Sequence, residues 1–156
     1  ETHGYQLHAS PNQPKSRGQI TLNSSDPYEY PKILFNYLKD EEDLKQTREC
    51  IHVARKILSQ PALLEHAGKE VGPGSEAQSD EELNEYIRSK ADTAYHPCGT
   101  CKMGVDDMAV VDENLRVKGI KNLRVIDASV IPEIPSANLN APVLMIAEKG
   151  SELVLS

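Results

Sequence analysis

The sequence predicts an α+β chain built from two partial lobes, and three observations point to it. Residues 40–90 carry two helical patterns punctuated by Pro and Gly. After Asp92 the character changes to short β-like runs. Residues 140–153 then form a last helix that is apolar on every side. The expected division lies between residues 1–93 and 94–156.

Taken in order, residues 1–12 alternate around Tyr5, Leu7 and Ala9, a pattern that predicts a strand. Residues 14–18 read as a turn, followed at 19–22 by a strand with Ile20 and Leu22 on one face. Asp26-Pro27 and Pro31 mark a loop. The clearest helix spans about residues 40–59. Asp40 caps it, Glu41, Glu42 and Asp43 suit its positive end, and Leu44, Ile51, Ala54 and Leu58 form a buried stripe. Pro61 is expected to end it. A Gly- and Pro-containing loop covers residues 67–78, and Ser79 with Glu82 forms a capping box. The helix this box opens should run to about Lys90 with Leu83 and Ile87 inward.

Strand-like runs follow at residues 110–111, 115–117 and 123–126, with Gly119 marking a turn between the last two. The last helix begins near Asn140, with Pro142 in its first turn, where the missing N–H costs nothing. Its apolar stretch at residues 143–147 should be buried against more protein than these residues supply. No internal repeat or low-complexity tract is present.

At 156 residues the chain can hold one good core or two small lobes. Its 24 acidic against 17 basic side chains give a net charge of −7, which disfavours nucleic acid as a partner. The longest apolar run, residues 141–147, falls well short of the roughly 20 residues a membrane helix needs. The chain begins at Glu1 with no initiator Met and no apolar leader, so we expect a portion of a larger protein. Three cysteines, an odd number, argue against a disulfide-stapled scaffold and point to a reducing compartment.

Three clusters could carry chemistry. In YHPCGTCKMG (residues 95–104), His96 precedes Pro97 in a Gly-containing segment, so local backbone geometry fixes it. That suits a general base, although a loop His with a routine hydrogen bond is the plainer reading of the residues alone. Cys98 and Cys101 form a CxxC, which serves dithiol chemistry or half a zinc site; two small thiols packing a turn is the plainer reading, and no metal site is expected. The third cluster sets Asp127-Ala128 at a strand end ahead of Asn140-Ala141-Pro142 at a helix start. Such an arrangement holds nucleotide ribose and phosphate, but Asn140 also suits plain capping. No GxGxxG, GxSxG, HExxH or Walker motif is present, so these residues cannot build a dinucleotide site unaided.

The segments HPCGTCKMG, AVVDENLRVKGIKNLRVIDAS and NLNAPVLMIAEKGSELV resemble the C-terminal signature of the glucose–methanol–choline family of FAD-dependent oxidoreductases. Upstream, PKSRGQITLNSSDP, FNYL, SQPAL and KADTAYHP resemble the family's choline branch in the same order. The resemblance covers essentially the whole chain. It implies that residues 1–93 are the C-terminal part of a substrate-binding domain with helices and antiparallel sheet. Residues 94–156 would then supply the closing strands and last helix of an α/β FAD-binding domain.

The resemblance further implies that His96 is the active-site His, with Asn140 as its partner. Asp127 and Ala128 match the segment that meets the FAD phosphates and ribityl chain, and Ala141 and Pro142 match the turn beside the flavin ring. The implied reaction oxidises a primary alcohol, choline favoured, by hydride transfer to flavin N5, with His96 as base. FAD would be held mainly by an N-terminal portion of the same enzyme, which is the expected partner beside the small alcohol substrate. The electron acceptor is not specified by these residues. An intracellular location is expected, cytoplasmic or peripheral on an inner bacterial or mitochondrial membrane. The alternatives are a non-catalytic fragment or pseudoenzyme lacking the FAD-binding half, and a CxxC redox or metal module.

Overall fold

A computed structural model describes residues 3–156. In chain order the elements are β1 (Gln19–Thr21), β2 (Lys32–Leu34), α1 (Glu41–Leu58), α2 (Pro61–Leu64), α3 (Asp80–Lys90), a 3₁₀ turn (Ala128–Val130) and α4 (Asn140–Leu155). They fall into two units: the segment up to Gly18 with Phe35–Asp92, and Gln19–Leu34 with Thr93–Ser156. The α+β class holds. The β1–β2 hairpin groups with the residues after Asp92, although it precedes α1 in the chain.

In the first unit, carboxylates decide where helices start. Asp40 accepts the Glu42 N–H at 2.9 Å, and Glu41, Glu42 and Asp43 occupy the positive first turn of α1. Asp43 also anchors the preceding chain. It is only 3% exposed, and its two oxygens accept N–H bonds from Lys15 (2.6 Å) and Ser16 (2.7 Å). Burial by itself pushes this carboxyl up. The Ser16 hydroxyl, the two backbone N–H groups and the Arg17 charge outweigh it and hold the acid below the ordinary Asp range.

The capping box at α3 forms as expected. Ser79 Oγ accepts from the Glu82 N–H (3.2 Å) while the Glu82 carboxylate accepts from the Ser79 N–H (2.9 Å). Helix α3 packs on α1, burying Leu44, Leu83 and Ile87, whereas Ile51, Ala54 and Leu58 are only half-buried. Arg48 ties the pair by donating to Asn84 Oδ1 (2.7 Å) and pairing with Asp80 (3.0 Å). Arg55 holds the 67–78 loop by donating to Glu70, the Gly74 carbonyl and the Ala77 carbonyl.

Two expectations for this unit change. The alternation at Tyr5, Leu7 and Ala9 makes no strand: residues 3–10 are irregular and exposed, and among the described residues no strand pairs with them. The remainder of that expected strand, Glu1 and Thr2, lies outside the described residues. Pro61 does not merely end α1, which stops at Leu58; it occupies the first position of α2, where a missing N–H is no loss.

The second unit contains one two-stranded sheet and is otherwise joined by isolated bridges. Strand β1 pairs antiparallel with β2 in the register Gln19↔Leu34, Ile20↔Ile33 and Thr21↔Lys32. Three residues after Pro31 are too few for a period of two to be read, which is why β2 was not expected. The runs at 110–111, 115–117 and 123–126 form no strands, only the isolated bridges Met103↔Val111, Val111↔Val117 and Arg116↔Arg124. Left-handed residues interrupt them: Leu115 (φ 62°), Gly119 (φ 79°) and Asn122 (φ 61°).

Asp112 holds the first of these reversals by accepting the Asn114 and Arg116 N–H groups, both at 2.9 Å. The Arg116 bond foremost keeps its carboxyl below the ordinary range. Arg124 then donates to the Asn114 and Leu153 carbonyls, joining that reversal to the last turn of α4. Around them, Val111, Leu115, Val130, Ile131, Leu139 and Ile146 form the core.

Helix α4 buries only Ile146 and Gly150, leaving Leu144 and Met145 more than 60% exposed. Among the described residues no helix is long and apolar enough to cross a membrane. At Gly150 a β-carbon would run into the Ile126 side chain. Gly150→Ala is therefore expected to destabilise by about 1–3 kcal/mol, overriding the roughly 1 kcal/mol helix-propensity gain, and thermal unfolding measures the sign.

Asp43 gives the pH dependence. Its pKa is lowered by folding, so its contribution is present above the unfolded value of about 4 and is lost as pH falls through the lower folded value. Asp43→Asn is expected to lose about 1–3 kcal/mol at pH 7 and less as pH falls below the ordinary Asp range, measured by urea unfolding.

Candidate active site

The backbone around His96 is set by its neighbours. Pro97 restricts His96 to extended conformations. Tyr95, one residue earlier, is left-handed (φ 58°), and its N–H donates to Thr93 Oγ1 at 3.0 Å. Downstream, Gly99 (φ 86°) passes so close to the Ile131 carbonyl that a β-carbon would sit 3.2 Å from it. The loop is then clamped to the 3₁₀ turn. Cys101 N–H donates to the Ser129 carbonyl (3.0 Å), and Met103 N–H donates to the Val130 carbonyl (2.8 Å).

Asp127 makes that turn. Its Oδ1 accepts from the Ser129 N–H at 2.7 Å and from the Ser129 hydroxyl. Ala128 packs on the core from this turn, and Val130 is fully buried. Helix α4 packs on the same turn. The loop of His96 and the helix of Asn140 therefore rest on one small element, within one unit.

His96 and Pro142 are half-buried, whereas Asp127, Asn140 and Ala141 are exposed. The capping reading of Asn140 is corrected. Leu139, buried and without a side-chain oxygen, holds the N-cap position, and Asn140 is the first helical residue. No side chain caps α4, and its first turn contains no acid. The N–H groups of Asn140 and Ala141 are thus available to an outside acceptor, and Pro142 has none to offer.

Cys98 and Cys101 are half-buried thiols joined in no disulfide, and Cys98 packs against the core. Among the described residues no cluster of three or more His, Cys, Asp or Glu could hold a metal ion. An open hollow of about 520 Å³ in this unit, lined by Met103, Asp112, Lys118 and Pro132 among others, contains neither His96 nor Asn140. Sequence reasoning missed the Thr93 hydroxyl and the Ser129 and Val130 carbonyls. A Thr two residues ahead of Tyr95 carries a turn signal; the carbonyls carry none.

A family model described as GMC oxidoreductase matches residues 14–147. The oxygen-dependent choline dehydrogenase of Escherichia coli O45:K1 (strain S88 / ExPEC) is 49% identical over 152 residues, covering 97% of this chain and 27% of the relative. The chain thus spans about a quarter of the length of the curated relatives it matches. The crystal structure of pyridoxine 4-oxidase from Mesorbium loti matches with a TM-score of 0.85 at 35% identity, over 90% of this chain and 28% of that one. A fungal aryl-alcohol oxidase matches with a TM-score of 0.84 at 34% identity, over 92% of this chain and 24% of that one. With the family model spanning most of its length, the chain belongs to the GMC oxidoreductase family.

Proposed function

We propose that this chain is the C-terminal catalytic portion of an FAD-dependent enzyme that oxidises a primary alcohol, choline by preference, to the aldehyde. The observation that carries the reading is the shared seat of the His96 loop and α4 on the Ala128–Val130 turn. Residues to 93 would belong to the substrate-binding domain and residues 94–156 to the FAD-binding domain. Choline is preferred because the choline dehydrogenase relative is 49% identical across almost the entire chain.

The residues present fit a flavin. The start of α4 offers two N–H donors with no competing side-chain cap or acid, which suits an electron-rich ring edge. Ala141 and Pro142, small and carrying no charge, allow close approach beside it. Asp127, an exposed carboxylate, suits ribityl hydroxyls, which donate, better than phosphate oxygens, which do not. Ala128 leaves the backbone accessible next to it. FAD, when bound, supplies the hydride acceptor.

This chain's own residues handle the hydroxyl. His96 accepts its proton as general base, from a backbone that Pro97 and the loop clamp keep rigid. Asn140 donates an amide N–H to the same oxygen as it becomes an alkoxide, and does so without titrating.

Stopped-flow reduction of the full-length holoenzyme tests the assignment. His96→Ala is expected to slow flavin reduction by choline at least about a hundredfold. Reduction within a few-fold of wild type would remove His96 as the base. The 156-residue chain alone is expected to bind no FAD, because it contains no Gly-rich turn to cradle the pyrophosphate; a yellow stoichiometric complex on purification contradicts this.

A further inference from the structure

We infer, on the reading of His96 as the base, that Gly99 is a positioning residue for His96. Lacking a β-carbon, it lets the loop sit against the Ile131 carbonyl, and that seating sets where the His96 backbone lies. Two separate observations require glycine here. Its φ of 86° lies in the left-handed region that a side chain resists. A β-carbon added there would stand 3.2 Å from the Ile131 carbonyl oxygen and 3.8 Å from that of Pro132. The first approach is tighter than ordinary packing, so one side must yield by a few tenths of an ångström.

The loop is the side that yields. Ile131 is buried in the core beside Val130, and its N–H is held by the Ala128 carbonyl. Beyond Gly99 the loop is tied down: Cys101 donates to the Ser129 carbonyl, Met103 to the Val130 carbonyl, and Lys102 back to the Gly99 carbonyl. A displacement at Gly99 therefore passes upstream, through Cys98 and Pro97, to His96. Pro97 cannot absorb it at φ, which its ring locks. Moving a reacting group by about 1 Å costs roughly a hundredfold in rate, so a few tenths cost about three- to tenfold.

Gly119, in the same unit, separates this effect from backbone strain. It is also left-handed (φ 79°), yet a β-carbon there meets nothing within 4 Å. It lies in an exposed turn closed by the Val117 N–H and the Leu123 carbonyl, away from the His96 loop in sequence. The test uses the full-length, FAD-loaded enzyme. Gly99→Ala is expected to slow flavin reduction by choline about three- to tenfold, with flavin content unchanged and the apparent substrate Kd changed by less than about twofold. Gly119→Ala should lower the melting temperature but keep the reduction rate within about twofold of wild type. Gly99→Asn keeps the β-carbon while tolerating a left-handed φ, as Asn36 and Asn122 do here, and should be about as slow as Gly99→Ala. Hydrogen exchange at the Cys101 and Met103 amides should stay slow in both Gly99 variants, because the ties beyond Gly99 hold.

If Gly99→Ala fails to load flavin, Gly99→Asn is read in its place, and failure of both to load overturns the inference. Equal rate losses in Gly99→Ala and Gly119→Ala also overturn it, as does a wild-type rate in Gly99→Asn. Lost protection at the Cys101 and Met103 amides does the same, since the loop has then left its seat altogether. A neutral Gly99→Ala beside an inactive His96→Ala removes this inference alone; a neutral His96→Ala removes the reading beneath it.

Discussion

Two backbone hydrogen bonds, Cys101 to the Ser129 carbonyl and Met103 to the Val130 carbonyl, are the constraint on which the second unit depends. They fasten a loop rich in Gly and Pro to a three-residue turn that the Asp127 carboxylate shapes and the core buries at Val130. Helix α4 leans on the same turn. The loop takes its rigidity from these bonds and from Gly99, which approaches the Ile131 carbonyl so closely that a β-carbon would sit 3.2 Å from it. The proposed base therefore stands on backbone geometry rather than on side-chain packing.

The first unit solves a related problem with charge. Its buried apolar residues are few, and polar ties do much of the positioning. Asp43 is both a first-turn carboxylate of α1 and the buried acceptor for Lys15 and Ser16. Arg48 and Arg55 reach from one helix to α3 and to the loop before it. In the second unit Asp112 and Arg124 act similarly, holding a left-handed Leu115 in place and joining its turn to the end of α4. Charged groups with several hydrogen bonds can hold irregular backbone that hydrophobic burial alone would leave loose.

Helices α1, α3 and α4 were legible in the sequence because their signals are local, whereas the short α2 was not. Asp40, the Ser79–Glu82 box and Pro142 each state a helix start through chemistry that acts within four residues. The short β-like runs misled because alternation does not reveal a left-handed residue, and Leu115 is not a residue that announces one. Tyr5, Leu7 and Ala9 misled for another reason: a strand needs a partner, and periodicity does not supply it. His96 and Asn140 were singled out by residue type and family resemblance. That Leu139, not Asn140, takes the N-cap position was visible only in the fold.

The sequence alone determined the helix starts, the α+β class, the family resemblance and the identity of the candidate base and its amide partner, since these reside in residue type and near-neighbour spacing. The tertiary structure decided which segments touch. It set the His96 loop and α4 on one turn, turned three expected strands into single bridges, and left the start of α4 uncapped. Those outcomes depend on carbonyls and N–H groups, which every residue shares. No residue letter records which of them will meet.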